Sequence, residues 1–501
     1  MPGPAGVKAQ KPRTLAFCTS AQLFVGAGAS GYRGKTGAVQ GRGGGDVVAG
    51  TMQVAVRRRG LLATGAALVA GVAGAQELRD RPAGQEVAPI LFVHGAGDSA
   101  AMWMPTIWRF ESNYYPRARL FAIDMRVPTA RRVDAVRERG RSSVDEATAQ
   151  LAQEVARVQR STGIERMVLV AHGRGGNIVR NYLRGSGALR VKAAILCAAP
   201  SHGMIVSDTH MVGSEYNGAS AFLRQLNAMP GEVSPGVPVT TLASDRMDKW
   251  AQPDGRFLGL PGVATGIGHD APALRGATNI VLTGIDHMEA AYSADAFGEI
   301  YRIATGETPS VGRIRSEVKP TLNGRVSAYD GGVPTNIGVA GARLRVFAVD
   351  PATGQRIGRE RHERITAADG SWGPMEIEPD VACEFELAVR GYPVTHIYRA
   401  PFPRGSEHVH LRPYLPEAAD PKDGALVVVR RVRGFFDFGR DRIEIGGRKV
   451  DGAVDIPSEN TLRVHTSGAL MSMPVLYNEE RAAGMAWPLA ERHVTVIELG
   501  E

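Results

Sequence analysis

The 501-residue chain has little cysteine, no basic excess outside its first seventh, and no apolar run long enough for a bilayer. Only three cysteines occur, none in CxxC spacing or beside clustered histidines, which speaks against a structural zinc site. Past residue 75 only Cys197 and Cys383 remain. They read as two small buried hydrophobes, with a disulfide in an oxidising compartment as the alternative. The net charge of +8 invites a nucleic-acid reading, but nine of the Lys/Arg and a single acid, Asp46, lie in residues 1–75. The remaining 426 residues carry as many acids as bases. A neutral bulk gives no electrostatic case for a polyphosphate partner, so nucleic acid is not expected.

What is present at the N-terminus reads as an address. Residues 1–51 hold 12 glycines and no periodic pattern, and are expected to be an unstructured or non-native extension, with Met52 as a candidate true start. Arg57, Arg58 and Arg59 then precede a weakly apolar run that closes on Ala73-Gly74-Ala75, a small-residue cleavage pattern. Residues 52–75 resemble a twin-arginine signal peptide, which implies the twin-arginine export machinery as a partner and a periplasmic or extracellular location. The apolar stretch Leu61 to Ala75 is 15 residues, short of the ~20 that span a bilayer, so no stable span is expected after cleavage.

From residue 88 strand and helix patterns alternate. Ile90 to Val93 and Leu120 to Ile123 are short apolar runs of the kind buried parallel strands need, and Met167 to Val170, Ala194 to Ala198, Val239 to Ala243 and Asn279 to Leu282 read as further strands. Ser143 and Glu146 form a capping box ahead of Val144, Leu151, Val155 and Val158, and Gly163 stops that helix. This alternation predicts an α/β domain over 88–308, with a mostly parallel sheet flanked by helices and ligands at the carboxyl ends of the strands.

The chemically suggestive residues fall at those ends. Ala171-His172-Gly173-Arg174-Gly175-Gly176 is a glycine-flanked strand-to-helix turn, the setting of a nucleophile elbow. Downstream come Asp245 and Asp248 after one strand, then Asp286 and His287 after the next, in the order nucleophile, acid, base.

His94-Gly95, Trp103, Ile107 to Asn113, the elbow, Pro200 to Gly203, Ser244-Asp245 to Asp248, Ala251 to Gly255 and Asp286-His287 together resemble secreted bacterial α/β-hydrolases of the lipase/esterase type. The resemblance implies the α/β hydrolase fold and carboxylic-ester chemistry without a cofactor or metal. It implies His287 as base, Asp248 or Asp245 as acid with Asp248 preferred, and the amides of Ala96 and Arg174 as oxyanion hole. The sequence departs from the family at the decisive position. Gly173 stands where the nucleophilic serine belongs, and Ala171 where the first glycine belongs. A glycine cannot be acylated. Ser99 and Ser201 are the substitute nucleophiles to consider, and a water activated by His287 is the non-covalent route. Two functions follow: a small-molecule or lipid ester hydrolase whose activity is in doubt, or an inactive protein that binds lipid, ester or polymer on a hydrolase scaffold.

Residues 204–236 are a long excursion expected to cap the cleft, with a short helix over Ala219 to Leu226. After Pro309 alternation replaces helical spacing. Residues 311–416 predict a β-sandwich resembling transthyretin-like or carboxypeptidase-regulatory-like modules, and 421–501 a further β domain. His408 and His410 are expected to share a strand face without a third metal ligand. Phe435, Phe436 and Phe438 read as core, or as an apolar ligand surface if exposed.

Overall fold

The computed structural model describes residues 16–19 and 87–500; the signal-peptide reading of 52–75 and nearly all of the 1–51 extension lie outside the described residues. Six parallel strands form the first sheet: β1 Ile90–Val93, β2 Leu120–Ile123, β3 Met167–His172, β4 Val191–Cys197, β5 Val239–Ser244 and β6 Thr278–Leu282. Their order is β2-β1-β3-β4-β5-β6. Successive residues point to opposite faces, and β1 and β3 are buried on both, whereas β6 at the sheet edge is largely exposed. Leu91, Val93, Leu169 and Ala171 pack with Leu151, Val155 and Val158 of α2, Val144–Thr162. Ile90, Phe92, Val168 and Val170 pack on the other face with Trp103, Phe110 and Phe297. The capping box is formed, Ser143 accepting from the Glu146 amide, and Gly163 ends α2 in the left-handed region.

Helix α1, Met104–Ser112, covers the face opposite α2, and α3, Arg174–Arg184, leaves the end of β3. The excursion after β4 carries a short α4 at Ala221–Asn227. It is followed by β5 and β6, then by α5, Glu289–Tyr292, and α6, Ala294–Thr305.

The C-terminal part is β-rich and has one continuous central sheet. Its strands are β7 Arg343–Val349, β8 Arg356–Ile365, β9 Ala382–Ala388, β10 Val394–Arg399, β11 Ala425–Arg431, β12 Thr461–Thr466 and β13 His493–Leu499. They run in the order β12-β11-β13-β10-β9-β7-β8. Strand β13 pairs in parallel with both β10 and β11. Strands of the expected 311–416 sandwich and of the further β domain expected at 421–501 belong to one sheet. The β10–β13 pairing joins strands about a hundred residues apart, and local alternation carries no sign of it. Each face has its own core. Leu344, Phe385, Val428 and Val496 pack with Trp372 and Val409, whereas Val427, Val429 and Ile497 pack with Ile445, Val475 and Phe436.

Ala16–Thr19, expected to be patternless, pairs antiparallel with β12 and forms the outer strand of this sheet. An edge strand presents unpaired backbone groups to any short β-prone segment, and Ala-Phe-Cys-Thr is one. Cys197 and Cys383 are free and buried in separate cores, as small hydrophobes rather than a disulfide pair. Phe435 and Phe436 are buried. Among the described residues no helix is long and apolar enough to cross a membrane.

The β-rich part is keyed to the α/β part by specific bonds. Met104 and Trp108 of α1 enter its core, and Trp108 Nε1 donates to the Gly405 carbonyl at 2.8 Å. Asn336 donates to the carbonyls of Asp98 and Met125 at 2.7 and 2.9 Å.

Candidate active site

Strand β3 ends in a backbone conformation that side chains seldom adopt. Gly173 has φ 51° and ψ −121°, and α3 begins at the next residue. Its amide donates to the Cys197 carbonyl and its carbonyl accepts from Gly176, so the turn is held on both sides. A Cβ built at Gly173 would lie 3.4 Å from His287 Nε2 and 3.8 Å from the Gly95 Cα, open enough for a side chain. Gly95 is small for a different reason. A Cβ there would sit 2.9 Å from Nδ1 of His172, so only glycine lets the loop after β1 approach the elbow this closely.

His287 follows β6 and is mostly buried, with its Nδ1 2.9 Å from Oδ2 of Asp248. The other Asp248 oxygen accepts the Trp250 amide at 2.8 Å, which fixes the carboxylate plane. Asp245 instead accepts the amides of Arg246 and Gly284, a turn role. Thus the structure brings Gly173, His287 and Asp248 together, and it leaves Asp245 outside. Ser99 precedes the 3₁₀ turn Ala100–Trp103, and buried Ser201 Oγ lies 3.5 Å from the Ala199 carbonyl; neither meets His287. Ala96 is exposed at the loop, and Arg174 is the first residue of α3, where the amide has no intrahelical acceptor. The Arg174 amide therefore lies at the positive end of the α3 dipole.

The sequence reading passed over His172, the residue before the turn. It is buried, its Nε2 donates to the His287 carbonyl at 3.1 Å, and the two rings lie 4.7 Å apart. Burial, then the adjacent His287, holds it well below the usual imidazole range, so it supports the His287 loop as a neutral group. Its place inside the elbow motif was the only signal available.

His94, at the end of β1, is also neutral. Its Nε2 accepts the Met125 amide at 3.0 Å and its Nδ1 donates to the Gly95 carbonyl at 2.9 Å. Burial pushes its pKa down to about 4. The unfolded chain takes up a proton below about 6.5, whereas the folded chain does not until pH 4. The resulting stability is complete above pH 6.5 and falls by about 3 kcal/mol as pH drops towards 4. Urea unfolding at a series of pH values is expected to show this loss, and His94→Asn is expected to flatten the slope by one proton. The same slope in the variant would remove His94 as its source.

The histidines considered for metal are accounted for otherwise. His408 and His410 lie outside regular strands, and His410 Nε2 is 2.7 Å from Asp124 Oδ2. Glu384, Glu386 and His396 cluster on β9 and β10, but Arg356 donates to both glutamates at 2.6 to 2.7 Å. The guanidinium thus supplies a positive charge to both carboxylates.

Residues 88–250 match the family model of the alpha/beta hydrolase fold, and residues 318–416 match that of the lipase C-terminal domain. Among solved structures the chain is similar to Aspergillus fumigatus lipase B, at 15% identity and TM-score 0.32, over 46% of this chain and 57% of that one. It is also similar to Bacillus licheniformis lipase BlEst2. The mature form aligns at 17% identity and TM-score 0.34, over 45% of this chain and 95% of that one. The propeptide form aligns at 13% identity and TM-score 0.34, over 82% and 74%. No curated protein matches the chain.

Proposed function

We propose that this lipase/esterase-like α/β hydrolase receives carboxylic esters at the Gly173 turn and lacks the acyl-enzyme route. The observation that carries the reading is the His287–Asp248 pair, poised 3.4 Å from the built Cβ of a residue that bears no nucleophile. Asp248 accepts from Nδ1 and leaves Nε2 to face the cleft as a base. In the remaining route a water attacks the ester carbonyl and passes its proton to His287 Nε2. The carbonyl oxygen, now anionic, is held by the Ala96 and Arg174 amides. Collapse expels the alcohol, which takes the proton back from His287. Losing a triad nucleophile costs roughly 10⁶ in kcat, which leaves some 10³ to 10⁴ over water from binding and the oxyanion hole.

The test is pre-steady-state hydrolysis of short p-nitrophenyl esters by the wild type. Turnover is expected to be slow or absent, with no burst of p-nitrophenol. A burst would mean that another nucleophile is acylated and would end this reading. Ligand holding without turnover is the second reading, and Gly173 itself favours it.

We further propose export by the twin-arginine route to the periplasm or beyond, on the strength of Arg57 to Arg59 and Ala73-Gly74-Ala75. A folded reporter fused to residues 52–80 is expected to reach the periplasm. Changing Arg58 and Arg59 to lysine is expected to retain it in the cytoplasm, and unchanged export would refute the assignment.

A further inference from the structure

Asp286 and His287 are neighbours that serve different parts of the molecule. His287 meets the elbow, while Asp286 is fully buried and bonds to the C-terminal region. Its Oδ1 accepts the amides of Met288 and Glu289 at 2.7 and 2.9 Å, ahead of α5. Its Oδ2 accepts the Phe435 amide at 2.6 Å and lies 3.0 Å from Nη1 of Arg431. Glu289 returns its Oε2 to the Asp286 amide at 2.7 Å and pairs its Oε1 with Nη2 of Arg431. Arg440 adds bonds to Glu289 at 2.9 Å and to the Gly284 carbonyl at 2.8 Å. Arg431 is the last residue of β11, and its side chain is 4% exposed. Two adjacent buried carboxylates therefore depend on a guanidinium supplied by a strand some 140 residues later.

The acid loop is tied to the same segment. Lys249, next to Asp248, donates to the Ser458 carbonyl at 2.8 Å and lies 3.8 Å over the Phe435 ring. The β-rich region thus holds the loops of both His287 and Asp248.

We propose that Arg431 is a positioning residue for the His287–Asp248 pair, fixing residues 284–289 so that His287 Nε2 stays over the Gly173 turn. The proposal rests on the reading of the cleft given above. Without the guanidinium, Asp286 and Glu289 face each other in a dry site whose remaining countercharges are Arg440 at the rim and Lys249, neither of which bridges the two carboxylates as Arg431 does. Burial and the neighbouring Glu289 already push the Asp286 carboxyl up. The carboxyl then takes a proton or admits water, and either change disturbs the amide bonds that seat the loop. A shift near 1 Å at a reacting group far from the altered residue is enough to cost about 10²-fold.

Two readouts test this. In the wild-type background, the far-downfield proton of His287 Nδ1–H, assigned by its loss in His287→Gln, reports the bond to Asp248 directly. Arg431→Gln is expected to shift or abolish it, and Arg431→Lys to retain it in part. In the Gly173→Ser background, Arg431→Gln is expected to lower kcat by about 10²-fold with little change in KM, and Arg431→Lys to recover part of the loss. An unchanged His287 signal in folded Arg431→Gln overturns the proposal. Unfolding of both Arg431 variants also overturns it, since the residue is then structural. If Gly173→Ser is inert, the reading of the cleft fails, and the His287 signal still decides the role of Arg431.

Discussion

Gly173→Ser is expected to convert a protein that barely turns over short p-nitrophenyl esters into one that hydrolyses them with a burst and is inactivated by organophosphonates. The built Cβ at position 173 meets nothing closer than His287 Nε2 at 3.4 Å, so a serine hydroxyl one bond further can hydrogen-bond the imidazole. The imidazole is already oriented by Asp248 at 2.9 Å. With the rest of the machinery in place, the serine is worth roughly 10⁶ in kcat. The cost is conformational. A φ of 51° with ψ of −121° suits glycine, and serine adopts it at roughly 1 to 3 kcal/mol, a strain active sites commonly carry. Crowding from Ala171 is not an obstacle, because its side chain belongs to the α2-facing core of the sheet. A variant that folds, keeps the His287–Asp248 bond and remains inert would show that the cleft has changed beyond one side chain. The binding-protein reading would then stand.

The hydrolase part was legible because its signals are local. Wholly apolar runs mark strands buried on both faces, and the Ser143/Glu146 box and Gly163 mark both ends of α2. The elbow and His287 were found because each sits at the carboxyl end of a parallel strand. The choice between Asp245 and Asp248 was open for a physical reason. Both follow β5 within four residues, and only the fold of the loop decides which carboxylate reaches His287. The Arg431 clamp and the β10–β13 pairing were invisible because each joins residues about a hundred or more positions apart. Arg431 closes a strand whose other residues are Ala, Leu, three Val and Arg430, and nothing local marks it as the partner of Asp286.

Removing Glu215 is expected to cost about 3–5 kcal/mol of stability, the largest single-site loss anticipated in the hydrolase part. Arg174 opens α3 at the elbow, and its guanidinium turns into the protein. All five N–H groups are used. Nε and Nη2 donate to the two Glu215 oxygens at 2.9 and 2.8 Å, Nη1 to the Pro128 carbonyl and Ser142 Oγ, and Nη2 to the Ser142 carbonyl. Both side chains of the pair are at most 2% exposed. In Glu215→Leu the guanidinium keeps its charge and its bonds to Pro128 and Ser142 but loses its bonded carboxylate, with little access to water, which is the costly case. In Arg174→Met/Glu215→Leu no charge is left behind, so the double variant is expected to be more stable than either single one. Urea midpoints of the three variants check this through their coupling. Additive losses would show that the ion pair is not the unit that matters. The pair also anchors the first residue of α3, whose amide is the one proposed to hold the oxyanion. The single variants in the Gly173→Ser background are therefore expected to lose kcat as well as stability, whereas a purely peripheral pair would leave kcat unchanged at temperatures where the protein stays folded.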